Sequence, residues 1–170
     1  AGDALMSNYI PVLQHPLFFG GLLAFAAGCA LLVLRAMSAI PPVGMWVAGA
    51  GALRFGLNAA AVSAALALIA FAWSFLLMPD FLSGKAYYEL LFWGGGHVLQ
   101  FTYTLLMLVA WLWLASASGA APRVTPRVAL LLFAFGLMAV FATPLIYYAH
   151  ELTSAGHIKL FTWLMRYGGG

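Results

Sequence analysis

Charged side chains are almost absent from this sequence. Of its 170 residues, 6% are charged and 65% are hydrophobic, and the mean hydropathy is +1.02. Ordinary globular domains carry about 25% charged residues, so the scarcity of charge excludes a typical soluble protein. The composition predicts an integral membrane protein whose partner over most of its surface is the lipid bilayer.

The few basic residues also exclude a nucleic-acid interface. The formal net charge is +3, but the seven lysines and arginines stand singly between apolar segments. A surface that follows phosphates needs basic residues clustered on one face. Scattered basic residues are typical of membrane loops, where they orient the chain in the bilayer.

The signatures of several enzyme classes are missing as well. Cys29 is the single cysteine, so the chain has no disulfide framework and no cysteine pair for metal or covalent haem. Zinc-protease, phosphate-loop and nucleophile-elbow patterns are absent. No carboxylate falls in the middle of an apolar stretch, which excludes a carboxylate proton relay inside the spans. The four carboxylates are Asp3, Asp80, Glu89 and Glu151.

What the sequence does contain is four apolar segments long enough to cross a bilayer. A helical span needs about 20 residues. A further apolar segment at 158–167 is shorter, and predicts a truncated fifth helix. Without a repeat or a soluble domain, residues 1–170 form a single polytopic segment, and the fold class is an all-α integral membrane protein within a larger helical bundle. The predicted spans cover residues 16–34, 55–78, 87–115 and 127–149.

Local signals refine these spans. Thr125 followed by Pro126 predicts the N-cap of the fourth helix. Pro144 lies inside that helix and predicts a kink. Residues 43–53 either extend the second span or lie at the membrane interface. Because the chain starts without methionine and its last apolar segment is short, we expect an internal piece of a longer protein.

The loop charges predict an orientation. Four basic residues against two favour the first group of loops as cytoplasmic. The N-terminal end then lies on the outer, periplasmic side of a bacterial inner membrane, and both His97 and His150 belong to the outer part of the membrane. The first group is Arg35, Arg54, Arg123 and Arg127, and the second is Lys85 and Lys159.

His97 is the strongest candidate for a functional side chain. It lies in the third span, where an ionisable residue is costly and usually lines a cofactor, an ion path or a bundle interior. Helical spacing predicts that Trp93, Gln100 and Thr104 share its face. The glycines 94–96 before it would let a neighbouring helix or a flat macrocycle approach closely, although small residues also serve ordinary helix packing.

A second polar cluster surrounds the end of the fourth span. It contains Tyr147, Tyr148, His150 and Glu151, all of which can simply face water there. His150 gains weight because it belongs to the same membrane side as His97, and imidazoles on facing helices bind metals and haems. We expect His15 and His157 in interfacial loops.

The stretch FWGGGHVLQF, residues 92–101, resembles the sixth helix of subunit I of the haem-copper oxidase superfamily, nearest to its cbb-type oxidases and nitric oxide reductases. In that family a histidine in the outer half of this helix binds copper or non-haem iron. The next helix carries an adjacent histidine pair near its outer end. Here the matching stretch is YYAHELTSAGH, with Ala149 and His150 in place of the pair. The resemblance implies His97 and His150 as metal ligands, with one ligand of three replaced.

The resemblance also implies cofactors, namely haem and copper or non-haem iron. Trp93, Gly95 and Gln100 would then contact the cofactor. Many members have a catalytic tyrosine four residues after the helix-six histidine, where this chain has Phe101. In cbb-type members that tyrosine is on the next helix, where this chain offers Tyr147 and Tyr148.

The resemblance further implies that the spans are the fourth to seventh of a larger polypeptide, whose haem-ligating histidines lie on helices outside this segment. An intact parent would be an oxidoreductase of the respiratory chain. It would reduce dioxygen or nitric oxide with electrons from a c-type cytochrome or quinol, beside other membrane subunits or the rest of the polypeptide.

Two alternatives remain open at this point. The chain is compatible with a non-catalytic helical subunit or degenerate homologue, whose histidines are hydrogen-bonded and whose glycines serve contact within a larger complex. It is also compatible with a small b-type cytochrome that uses His97 and His150 as axial haem ligands.

Overall fold

The computed structural model describes residues 2–39, 50–119 and 124–168, and most of these are helical. A short antiparallel pair, β1 (Ala4–Leu5) and β2 (Val12–Leu13), precedes the helices. Arg123 and residues 43–49, which entered the orientation and span predictions, lie outside the described residues. The helices are α1 (Pro16–Ala39), α2 (Ala50–Leu76), α3 (Gly84–Ala117), α4 (Pro126–Val140), α5 (Ala142–Ala149) and α6 (Ala155–Gly168).

Within the described ranges, four helical segments are long and apolar enough to cross a membrane, which confirms the predicted fold class. They comprise α1, α2, α3 and the consecutive pair α4 and α5. Several helices extend beyond the ends of the predicted spans, because backbone hydrogen bonding continues past the apolar segment that hydropathy detects. The first helix reaches Ala39, and the second begins by Ala50.

The fourth span is interrupted where proline predicted a kink. Helix α4 ends at Val140 and α5 begins at Ala142, with Phe141 as the joint. Pro144 has no backbone N–H and cannot donate to the carbonyl of Val140, one turn earlier. At the other end, the Thr125 side chain accepts a hydrogen bond from the backbone N–H of Val128 at 3.4 Å, which confirms the predicted cap.

Two clusters of buried residues form the interior. The cluster around Ala59, Leu105 and Phe133 joins α2, α3 and α4. The cluster around Val98 and Phe161 joins α2, α3, α5, α6 and the end of α4 at Val140, and it surrounds the candidate site. Helix α2 packs closely along α3, whereas none of the described residues of α1 is buried.

Candidate functional site

The imidazole of His97 lies inside the second of these clusters. Its side chain is 4% exposed, and its Nδ1 atom lies 2.7 Å from the carbonyl oxygen of Trp93, one turn earlier in α3. The hydroxyl of Tyr9, from the segment between β1 and β2, is within hydrogen-bonding distance of the same nitrogen. The ring therefore has polar neighbours and is not directed at lipid.

The Trp93 contact determines what His97 can do chemically. A carbonyl oxygen only accepts hydrogen bonds, so a Nδ1 atom at 2.7 Å from it is best satisfied when it carries the proton. The Nε2 atom of a neutral ring then keeps its lone pair. Metal-binding histidines typically donate their other N–H to a backbone carbonyl or a carboxylate in this way. His97 is thus suited to bind a metal through Nε2.

Trp93 also connects α3 to α6. Its indole Nε1 donates to the carbonyl of Ile158 at 3.3 Å, and its ring centroid lies 4.7 Å from that of His97. The half-buried Trp93 therefore positions both the histidine and the helix that covers it.

The three glycines before His97 each face a different aromatic ring. A Cβ atom added at Gly94 would overlap Tyr147, at Gly95 it would overlap Phe71, and at Gly96 it would overlap Tyr9. Close approach to this part of α3 therefore occurs, as the sequence predicts. Here, aromatic side chains from α5, α2 and the N-terminal segment are what approach.

Gln100 and Thr104 do not share the environment of His97, so the predicted common face is wrong in its polar part. Both side chains are exposed. A step of three residues places Gln100 about 60° around the helix from His97, whereas Thr104 keeps nearly the same direction but lies about 10 Å further along the axis. Gln100 borders the large apolar groove between α1 and the pair α2 and α3, beside Gly96.

Tyr147 and Tyr148 have opposite surroundings. Tyr147 is 5% exposed, whereas Tyr148 is 91% exposed. The Tyr147 hydroxyl lies 2.7 Å from Ser74 Oγ and donates to the carbonyl of Ala70 at 3.0 Å. Its ring stacks on Trp73 with 5.0 Å between centroids. Of the two predicted tyrosines, only Tyr147 lies in the buried cluster with His97.

Replacing Tyr147 with phenylalanine should destabilise the protein by about 1 to 3 kcal/mol, because buried Ser74 would lose a hydrogen-bond partner. Thermal unfolding in detergent, followed by circular dichroism, measures the effect. Tyr148→Phe is the matched control and should change the stability by less than about 0.5 kcal/mol. Equal effects of the two substitutions would contradict the buried position of Tyr147.

His157 is fully buried, and its predicted place in an interfacial loop is wrong. Helix α6 begins two residues earlier, and the Ser154 hydroxyl accepts a hydrogen bond from the His157 backbone N–H at 3.2 Å. Among the described residues, neither ring nitrogen of His157 has a hydrogen-bond partner. Its ring lies 4.9 Å, between centroids, from both Tyr147 and Phe161.

Burial and the neighbouring His150 together make His157 a poor base. Burial is the larger cause, and the two effects lower the pKa of His157 to about 4 from the ordinary value of 6.5. The ring is therefore neutral at physiological pH. The Phe161 ring contacts both this imidazole and that of His97, whose centroid is 6.3 Å away.

His150, the other predicted metal ligand, lies at the C-terminal end of α5. Its half-buried ring packs against Gly156, where a Cβ would overlap it. Beside it is a cavity of about 430 Å³ that Tyr147, Tyr148 and Glu151 also line. Among the described residues, no hydrogen bond links His150 with His97.

A complete metal site is not formed within this part of the chain. Residues 2–39, 50–119 and 124–168 contain no group of three or more histidine, cysteine or acidic side chains that could hold a metal ion. The donor chemistry of His97 fits a single imidazole ligand. The remaining ligands of a complete site would have to come from His150 after movement, or from other chain segments.

Comparisons with known proteins find relatives without an assigned function. The chain is 32% identical over 111 residues to an uncharacterized protein of Aquifex aeolicus (strain VF5), which covers 65% of this chain and 28% of that protein. It is 27% identical over 114 residues to the uncharacterized protein RP382 of Rickettsia prowazekii (strain Madrid E), covering 64% and 22% respectively. The chain thus spans about a quarter of the length of these relatives. No family model and no solved structure matches.

Proposed function

We propose that this chain is a segment of a haem-copper-oxidase-like subunit I, in which His97 binds a redox metal through Nε2 beside a haem. The observation that supports the proposal is the hydrogen bond from His97 Nδ1 to the Trp93 carbonyl at 2.7 Å. It leaves Nε2 with a free lone pair inside the bundle. The resemblance of residues 92–101 to the sixth helix of that family points to the same nitrogen.

Four of the predicted site residues take a role in this proposal. Trp93 orients the His97 ring through its carbonyl and fixes α6 through its indole. His150 is the second candidate ligand, and Tyr147 is a buried phenol in the same cluster. A bound copper or non-haem iron would supply one-electron chemistry toward a small oxidant such as dioxygen or nitric oxide.

The wider setting follows from the same resemblance. The four spans would belong to a larger membrane subunit of the bacterial inner membrane, with the N-terminal end on the periplasmic side. Electrons would come from a c-type cytochrome or quinol, and the other ligands from the rest of the polypeptide or from other subunits. The length of the relatives is compatible with additional helices.

A His97→Ala substitution in the full-length protein tests the proposal. We expect a visible haem spectrum in the purified wild type, with copper or non-haem iron in metal analysis. The variant should lose that metal, by at least about tenfold in occupancy, while it retains the haem. His15→Ala, which changes a histidine outside the helices, is the control and should retain both.

The other outcomes each favour a different function. Loss of the haem itself in the His97→Ala variant would favour a b-type cytochrome. Wild-type protein without a Soret band, copper or iron would contradict the redox proposal. It would favour a non-catalytic subunit that packs within a larger complex. A specific observation supports that second candidate: aromatic side chains already occupy all three glycine faces before His97.

A further inference from the structure

The N-terminal segment places Tyr9 directly over the candidate metal ligand. Tyr9 lies between β1 and β2, in a loop that the Ser7 hydroxyl braces by donating to the carbonyl of Ile10 at 2.5 Å. Val12, in β2, is 1% exposed and anchors the segment against the helices. The Tyr9 ring covers Gly96, where any larger residue would overlap it. Its position is therefore defined by packing on both sides.

Tyr9 contacts both groups that determine the state of the His97 ring. Its hydroxyl reaches His97 Nδ1 and lies 3.4 Å from the Trp93 carbonyl oxygen. Its ring meets those of His97 and Trp93 edge to face, with centroids 5.7 and 6.3 Å away. The Tyr9 hydroxyl and the Trp93 carbonyl oxygen, from residues 84 positions apart in sequence, thus meet at one nitrogen.

The hydrogen atoms around these three atoms are best arranged with the proton on Nδ1. The carbonyl only accepts, so Nδ1–H donates to it and shares its proton with the Tyr9 oxygen. The Tyr9 O–H then donates to the same carbonyl. The opposite tautomer would let Tyr9 donate to Nδ1, but it would set the lone pair of Nδ1 against a carbonyl at 2.7 Å.

We propose that Tyr9 is a positioning residue, which holds His97 in the tautomer protonated on Nδ1 and so keeps the Nε2 lone pair available to a metal. Only the availability of Nε2 to a metal rests on the proposed function, because the tautomer exists with or without a metal. Partners of the non-ligating nitrogen fix the ring and increase metal affinity by about 10- to 100-fold in known sites.

The test replaces Tyr9 with phenylalanine, which keeps the ring over Gly96 and removes only the hydroxyl. Nitrogen-15 NMR of histidine-labelled, metal-free protein in detergent reports which ring nitrogen of His97 carries the proton, with His97→Gln to assign the signal. We expect the Nδ1–H form in the wild type and a larger share of the Nε2–H form in Tyr9→Phe, where the Trp93 carbonyl is the one acceptor of this group left for Nδ1–H. Tyr103→Phe, which alters an exposed tyrosine of α3, should leave the signal unchanged.

Metal titration separates this inference from the proposed function. With Co²⁺ as the probe, full-length Tyr9→Phe protein should bind about tenfold more weakly at His97 than the wild type. A wild-type ring protonated on Nε2, or a tautomer that does not respond to Tyr9→Phe, would overturn the inference. A tautomer that responds while no metal binds at His97 would support the role of Tyr9 and overturn the proposed metal function.

Discussion

Replacing Gly94 with leucine should lower the free energy of unfolding by about 3 kcal/mol, at the upper end of the usual cost of overpacking a core. A single Cβ at this position would already overlap the Tyr147 hydroxyl and would lie 3.2 Å from Phe161 Cε2. Neither ring can move away easily. Hydrogen bonds to Ser74 and Ala70 fix Tyr147, and Phe161 is fully buried.

Thermal unfolding of the detergent-solubilised protein measures this effect. For a chain of this length, we expect the unfolding midpoint to fall by about 6 to 12 °C. Gly20→Leu is the matched control, because a Cβ at Gly20 meets nothing within 4 Å. It should be neutral or stabilise α1 by up to about 1 kcal/mol through helix propensity. Equal midpoints for Gly94→Leu and wild type would mean that α5 and α6 do not pack on α3 at this position.

The membrane helices could be predicted because their signals are local. Hydropathy over a window of residues fixes the four spans, and the chemistry of single residues fixes the details. Pro144 predicts the break between α4 and α5, since a proline inside a helix always removes one backbone N–H donor. Thr125 predicts its cap because a threonine oxygen can reach the backbone N–H three residues on.

The surroundings of the site depend on tertiary packing and could not be predicted in the same way. The glycines before His97 indicate close approach, but the residues that approach belong to three remote parts of the chain: Tyr9, Phe71 and Tyr147. Tyr9 in particular carries no motif. Likewise, the common face predicted for His97 and Gln100 failed because the packing of neighbouring elements determines which part of a helix is buried.

His157 could have been found from its spacing. His157, Phe161 and Leu164 follow one another at intervals of four and three residues, which places them on one side of a helix. In the structure Phe161 belongs to the buried cluster and Leu164 packs against it. The His157 ring contacts the Phe161 ring. The position of His157 just after the fourth predicted span indicates a loop instead, so the two sequence signals disagree.

Replacing His157 with leucine should raise the free energy of unfolding by about 2 kcal/mol at neutral pH. Both ring nitrogens are buried without a partner among the described residues, and each buried unpaired polar group costs about 1 to 3 kcal/mol. Leucine has a similar volume and would keep the contacts with Tyr147 and Phe161 apolar. The gain should appear as an increase of about 4 to 8 °C in the unfolding midpoint in detergent.

Acidification should widen the difference between the His157→Leu variant and the wild type. The pKa of His157 is about 4 in the folded protein, against the ordinary value of 6.5 expected when it is unfolded. Between these values the unfolded chain binds a proton that the folded chain does not, so the wild type loses stability as the pH falls from about 6.5 to about 4. The His157→Leu variant does not have this pH-dependent loss of stability. A destabilised His157→Leu protein would mean that the two nitrogens do have partners in the folded state.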